Sequence, residues 1–203
     1  MSSNKHACSL PSSQQRFLME LARQSIRHGL EYGKPLAVNI AALPEDLAAP
    51  RASFVTLEKN GRLRGCIGSL QASRALALDI AENAYAAAFR DPRFQPVSAE
   101  EVDALEIHLS LLTAPEPMAF ASEADLLAQI TPEVDGLVLE DGVHRGTFLP
   151  SVWESLPDRT DFLRHLKQKA ELPADYWSSS LRVSRYRTEV VSEESAAEAN
   201  PAD

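Results

Sequence analysis

Apolar positions along the chain fall into two rhythms. Phe17, Leu18, Leu21, Ala22 and Ile26 recur at helical spacing. They predict a helix over 13–32, with Ser12 as its cap and Gly33 as its end. A second helical stretch, 74–89, is rich in alanine (Ala77, Ala81, Ala84, Ala88), follows Ser73 as its cap and stops at Asp91-Pro92. The small side chains let it approach a sheet closely. Ser98 and Glu101 have capping-box spacing for one short turn. Ser122 opens a short helix through Ile130, and Thr160 opens one carrying Phe162, Leu163, Leu166 and Ala170.

The other rhythm has a period of two. Strand formers over 52–58, then Asn60-Gly61, then 62–67 predict a hairpin, because both turn residues tolerate positive φ. Alternation puts Arg62, Arg64 and Cys66 on one face of the return strand, with Leu63 and Ile67 on the other. Over 105–112, Ile107, Leu109 and Leu111 take one face and Glu106, His108 and Ser110 the other. A second hairpin spans 137–149 around Asp141-Gly142, and 181–191 predicts one closing strand. The sum is an α+β fold of antiparallel sheets with packed helices.

The two hairpins resemble each other. Leu57-Glu58, a turn and Arg64-Gly65-Cys66-Ile67 parallel Leu139-Glu140, a turn and Arg145-Gly146-Thr147-Phe148. The first turn is one residue longer. Internal duplication and chance similarity both account for this. The expected organisation is a flexible segment over 1–12, one domain over 13–191 and a disordered acidic tail over 192–203.

Composition narrows the function classes. The chain has 203 residues and a net charge of −9. An acidic excess disfavours non-specific binding to nucleic acid or to an anionic membrane. No apolar run reaches the roughly 20 residues that cross a bilayer, and residues 1–13 lack the apolar stretch of a secretory signal. Cys8 and Cys66 are the two cysteines. A structural disulfide is not expected, and the cytoplasm is the simplest compartment. No Cys-x-x-Cys or close His pair indicates a zinc site, and nothing names a cofactor.

Cys66 leads the candidates. Arg64, two positions away at roughly 7 Å between Cα atoms, would favour a thiolate. Gly65 and Gly68 would let a ligand or another backbone come close, and the start of the helix that follows Gly68-Ser69 would also favour the thiolate. The competing reading is a cysteine packed as a small hydrophobe. Glu106 offers a base on the polar face of its strand, whereas a polar wet face alone accounts for His108. Arg93 and Arg145, with Arg62, Arg64 and Arg90, would assemble a pocket for a small anionic ligand. Surface ion pairing is the plainer explanation for most of these arginines.

At Leu63-Arg64-Gly65-Cys66-Ile67-Gly68-Ser69 the chain resembles the AMMECR domain family, whose bacterial members are called AmmeMemoRadiSam system protein A. The likeness continues through Ala88-Phe89-Arg90-Asp91-Pro92-Arg93-Phe94, Leu105-Glu106-Ile107, Gly146 to Pro150 and Tyr186-Arg187. It implies a larger lobe holding both termini and a smaller one. It implies a functional site at Arg64 through Gly68, and partnership with a Memo-like protein and a radical S-adenosylmethionine protein. Where some relatives carry histidine before the glycine opening the second hairpin, this chain has Asp135-Gly136. Two expectations follow: an accessory or catalytic component with Cys66 as a thiol, or a non-enzymatic protein-protein interaction module.

Overall fold

A computed structural model describes residues 8–193. The helices are α1 (Ser12–Tyr32), α2 (Glu45–Ala48), α3 (Leu76–Phe89), α4 (Glu123–Gln129) and α5 (Arg159–Lys169). The strands are β1 (Ser53–Lys59), β2 (Arg62–Gly68), β3 (Glu106–Leu112), β4 (Glu116–Pro117), β5 (Gly136–Asp141), β6 (His144–Phe148), β7 (Arg182–Tyr186) and β8 (Thr188–Ser192). They form two four-stranded sheets, ordered β2-β1-β3-β8 and β4-β7-β5-β6. The α+β expectation holds. Among the described residues no helix is long and apolar enough to cross a membrane.

The chain divides into two compact units. Of the described residues, the larger takes 8–112 and 189–193, and the smaller takes Thr113–Thr188. In the larger unit, Val55, Leu57, Ile107, Leu109 and Leu111 project from the sheet into a core shared with Leu18, Ile26, Ile80 and Ala84. Alternation dictates this: the apolar set of each strand faces the helices, and the polar set faces away. In the smaller unit, Leu137, Leu139 and Val183 meet Phe162, Leu163 and Leu166 of α5. There Trp153 stacks on Phe162 at 3.7 Å between centroids, and its indole N–H donates to the Asp135 carbonyl at 2.8 Å.

Several local expectations need correction. Ser12 does not cap α1: the cap position is Pro11, whose fixed φ suits a helix start, and Ser12 is the first helical residue. Ser73 does not cap α3. The helix begins three residues later after Ala75, and Asp79 in its first turn accepts from Ser53 N–H, the Ser53 hydroxyl and Arg74. Asp158, not Thr160, caps α5 by accepting from the N–H groups of Thr160 and Asp161. Ser122 caps α4 as expected, accepting from Asp125 N–H. Gly33 ends α1 in the left-handed conformation.

Two longer segments also differ. The closing strand is two strands in two sheets: Arg187 separates β7 from β8. Alternation is blind to this, because both halves are extended and half buried. At the N-terminus, Leu10 is buried in the larger core and Ser9 donates to Glu189, so residues 8–12 pack rather than hang free. Residues 1–7 and 194–203 lie outside the described residues. Ser192 ends β8, and Glu193 pairs with Arg23.

Candidate functional site

The segment Arg64 to Gly68 lies on β2, the edge strand beside β1, and Ser69 follows it. Asn60 and Gly61, both at positive φ, close the hairpin. Leu57 then faces Gly65, but Glu58 faces Leu63. Arg64 is therefore the extra residue of a β-bulge, which breaks the strict alternation and redirects its side chain.

That redirection changes the role expected for Arg64. Its Nε and Nη2 donate to Glu101 at 3.1 and 3.0 Å, and its Nη1 donates to the Gln95 carbonyl at 2.9 Å. Lys59 donates to the same carboxylate at 3.0 Å. Arg64, then the Ser98 N–H and Lys59 hold the Glu101 carboxyl down at about 2. The guanidinium thus serves a partly buried ion-pair cluster and is not a charge reserved for Cys66.

The glycines are filled from within the protein. A side chain at Gly65 would strike the Ala87 carbonyl of α3, and one at Gly68 would strike the Phe54 ring and the Ser53 carbonyl. Of the two expected occupants, a ligand or another backbone, it is backbone that fills the space: the α3 carbonyl at Gly65, and the Ser53 carbonyl with the Phe54 ring at Gly68. Ser69 exchanges hydrogen bonds with Gln71, and α3 starts seven residues after it.

Cys66 is half buried and is not a member of the apolar core. Its Sγ accepts from the Thr56 hydroxyl at 3.3 Å. Thr56 faces Cys66 on one side and His108 on the other, so one row reads Cys66, Thr56, His108. The next row holds Glu58 opposite Glu106. His108 Nε2 stands 3.8 Å from Glu58 Oε2. These side chains occupy the sheet face turned away from α3.

The backbone of Cys66 is held from outside the sheet. Its N–H donates to Asp91 Oδ2 at 2.9 Å, and its carbonyl accepts from Arg93 Nη2 at 3.3 Å. Arg93 also grips Asp91 through Nε at 2.9 Å and Nη2 at 2.7 Å. Arg93 first, then the N–H groups of Cys66 and Arg93, hold the Asp91 carboxyl well below the usual carboxylate range against the opposing effect of burial. The Asp91-Pro92-Arg93 turn is thus a clamp on β2. Sequence spacing hid it, because its target lies 25 residues earlier.

The remaining candidates lie elsewhere. Arg145 is in the smaller unit, paired with Glu140 at 3.1 Å. Arg90 stacks on Tyr85 at 5.0 Å from the ring centre, and Arg62 is exposed. The smaller unit also has a groove of about 670 Å³, lined by Met118, Phe120, Trp177 and Arg182 among others. No residue predicted as a site from sequence lines it. Sequence reading passed over Glu58 and Thr56. Their signal is their parity with Cys66 and His108, visible only once β1 is known to lie between β2 and β3.

The AMMECR1 family profile matches residues 19–191. A protein from Methanothermobacter thermautotrophicus is 39% identical over 185 residues, covering 88% of this chain and 94% of its own length. One from Thermotoga maritima is 39% identical over 167 residues, covering 81% and 90%. The crystal structure of an uncharacterized protein from Pyrococcus horikoshii superposes with a TM-score of 0.73 at 33% identity, covering 88% of this chain and 90% of that one. On these grounds the chain belongs to the AMMECR1 family.

Proposed function

We propose that the open face of the larger unit's sheet, centred on Cys66, is the working surface, and that Cys66 acts there as a thiol in a small metabolic or modification system. The observation that carries this reading is the placement of the sulfur. It is half buried, outside the apolar core, and oriented by Thr56 within a polar row ending at His108. Direct proton transfer to the imidazole is excluded by distance: two inter-strand spacings are roughly 10 Å. Thr56 stands between them in the row, and its hydroxyl donates to the sulfur. Arg93, whose side chain is 54% exposed at the Cys66 carbonyl, offers a guanidinium to an anionic group on the ligand. The proposed partners are a Memo-like protein and a radical S-adenosylmethionine protein; the family resemblance supports them.

The test is site-resolved iodoacetamide labelling. Cys8 is the internal comparator, since burial first, and Glu189 beside it, push its thiol up. Cys66 is expected to label several-fold faster than Cys8 and to be protected by metabolite extract. Slower labelling of Cys66 overturns the thiol reading.

The interaction-module reading has one specific support. Arg64, Gly65 and Gly68 all serve internal contacts, so the segment's unusual composition has a structural explanation without chemistry. That reading expects Cys66→Ser to keep full function in cells and to keep co-purifying with both partners.

A further inference from the structure

The second hairpin supplies a standard for the first. There Glu140 faces Arg145 across the strand pair, and the two form an ion pair. In the first hairpin the bulge carries Arg64 to Glu101, and Leu63 stands opposite Glu58 instead. On its other side Glu58 faces a second carboxylate, Glu106, in direct register. Like charges opposite each other destabilise a strand pair. Four other carboxylates of this unit that are wholly or partly buried have a cation: Asp79 has Arg74, Asp91 has Arg93, Glu101 has Arg64 and Lys59, and Glu189 has Arg51. Among the described residues no lysine or arginine pairs with Glu58 or Glu106; only the His108 ring stands near.

One donor atom from each of Glu58, Glu106 and His108 lies within 4.8 Å of the others. Donors sharing an ion at about 2.1 Å stand roughly 3 to 4 Å apart. Small rotations of the half-buried Glu58 and the exposed Glu106 close that gap. The donors project from adjacent strands of one sheet, so the backbone fixes their spacing.

We infer that Glu58, Glu106 and His108 form a binding site for a divalent transition-metal ion, with the remaining coordination positions open to solvent or substrate. Two carboxylates with one imidazole suit manganese, iron or zinc better than magnesium or calcium, which favour all-oxygen sets. The inference draws on the reading of this face as the working surface only for its purpose. Metal binding itself does not need the thiol.

Manganese is the appropriate probe, because carboxylates hold it well while the two free thiols favour softer ions. Electron paramagnetic resonance of the full chain with Mn²⁺ alone is expected to show one bound ion per chain. Glu58→Gln and His108→Ala are each expected to weaken binding at least tenfold, and Cys66→Ser to leave it unchanged. Circular dichroism checks that each variant is folded. Absence of stoichiometric binding overturns the site, as does binding that neither folded variant weakens. Labelling of Cys66 in the same samples separates the two ideas. Fast labelling without manganese binding removes the metal site and leaves the thiol reading. Manganese binding with an inert Cys66 does the reverse.

Discussion

The two hairpins are built alike and differ by one inserted residue. In each, a leucine faces a glycine across the strands, Leu57 with Gly65 and Leu139 with Gly146. Each glycine lies on an edge strand and receives the backbone of a helix later in the chain, α3 or α5. In each sheet the hairpin's inner strand then pairs with a third strand, β3 or β7. The turns differ. Asn60 and Gly61 both have positive φ, whereas in the Gly142-Val143 turn only the glycine does. The longer connection of the first hairpin is absorbed as the bulge at Arg64. One residue thereby takes the arginine from opposite Glu58 and leaves that carboxylate with Glu106 and His108 of β3 as its charged or titratable neighbours. The comparison teaches that a change in local register can reassign charge without altering the fold.

Substituting the two glycines tests the shared part of this design. Gly65→Ala forces a methyl against a backbone carbonyl that cannot rotate away, and is expected to cost about 3 kcal/mol or more. Gly146→Ala meets the Ala170 nitrogen and Leu166 carbonyl at 2.9 Å, and should cost less, about 1 to 2 kcal/mol. Urea unfolding measures both, and equal losses would refute the asymmetry.

Asp91→Asn comes next. It removes a charge-assisted acceptor from Cys66 N–H and the partner of Arg93, at an expected cost of about 2 kcal/mol. The same denaturation measurement reads it, and a loss below about 0.5 kcal/mol would show that the clamp is dispensable.

Deleting Leu63 would make the first hairpin as short as the second and set Arg64 opposite Glu58. The expected result is a folded protein about 1 kcal/mol less stable, in which Glu101 has lost its arginine. A crystal structure of the deletion that keeps Arg64 on Glu101 would sink the account of the bulge.

The smallest effect concerns pH. The Glu101 carboxyl is held at about 2 in the folded chain against an ordinary value of 4.5. Its folded value is depressed, so its contribution is present above 4.5 and is lost as pH falls toward 2. Glu101→Gln should make stability fall less steeply across that window, in thermal melts from pH 5 to 2.5. Unchanged steepness would remove Glu101 from the acid response.

Much of the scaffold was legible in the sequence. Asn60-Gly61 marked its hairpin because few residues tolerate positive φ, and the parity of Ile107, Leu109 and Leu111 identified the buried face of β3. Helix starts were less legible. A serine near a helix resembles a cap whether or not its hydroxyl reaches a free N–H, and Ser12 and Ser73 do not fill the cap positions. Within the candidate site, the parity of Cys66 was readable and that of Arg64 was not, since a bulge leaves no trace in a hydrophobic pattern. The polar row across three strands required strand order, which period-two alternation does not carry.

The clamp on β2 has a consequence for the life of the protein in a crowded solution. An outer strand with bare amide and carbonyl groups is a template on which a second chain can align. At Cys66 those groups are already taken by Asp91 and Arg93. The acid of that pair stays ionised well into acidic conditions, so the seal outlasts modest changes in proton concentration. Molecules carrying it are kept from zipping together along this border, and losing it exposes a route to aggregates as well as a weaker monomer.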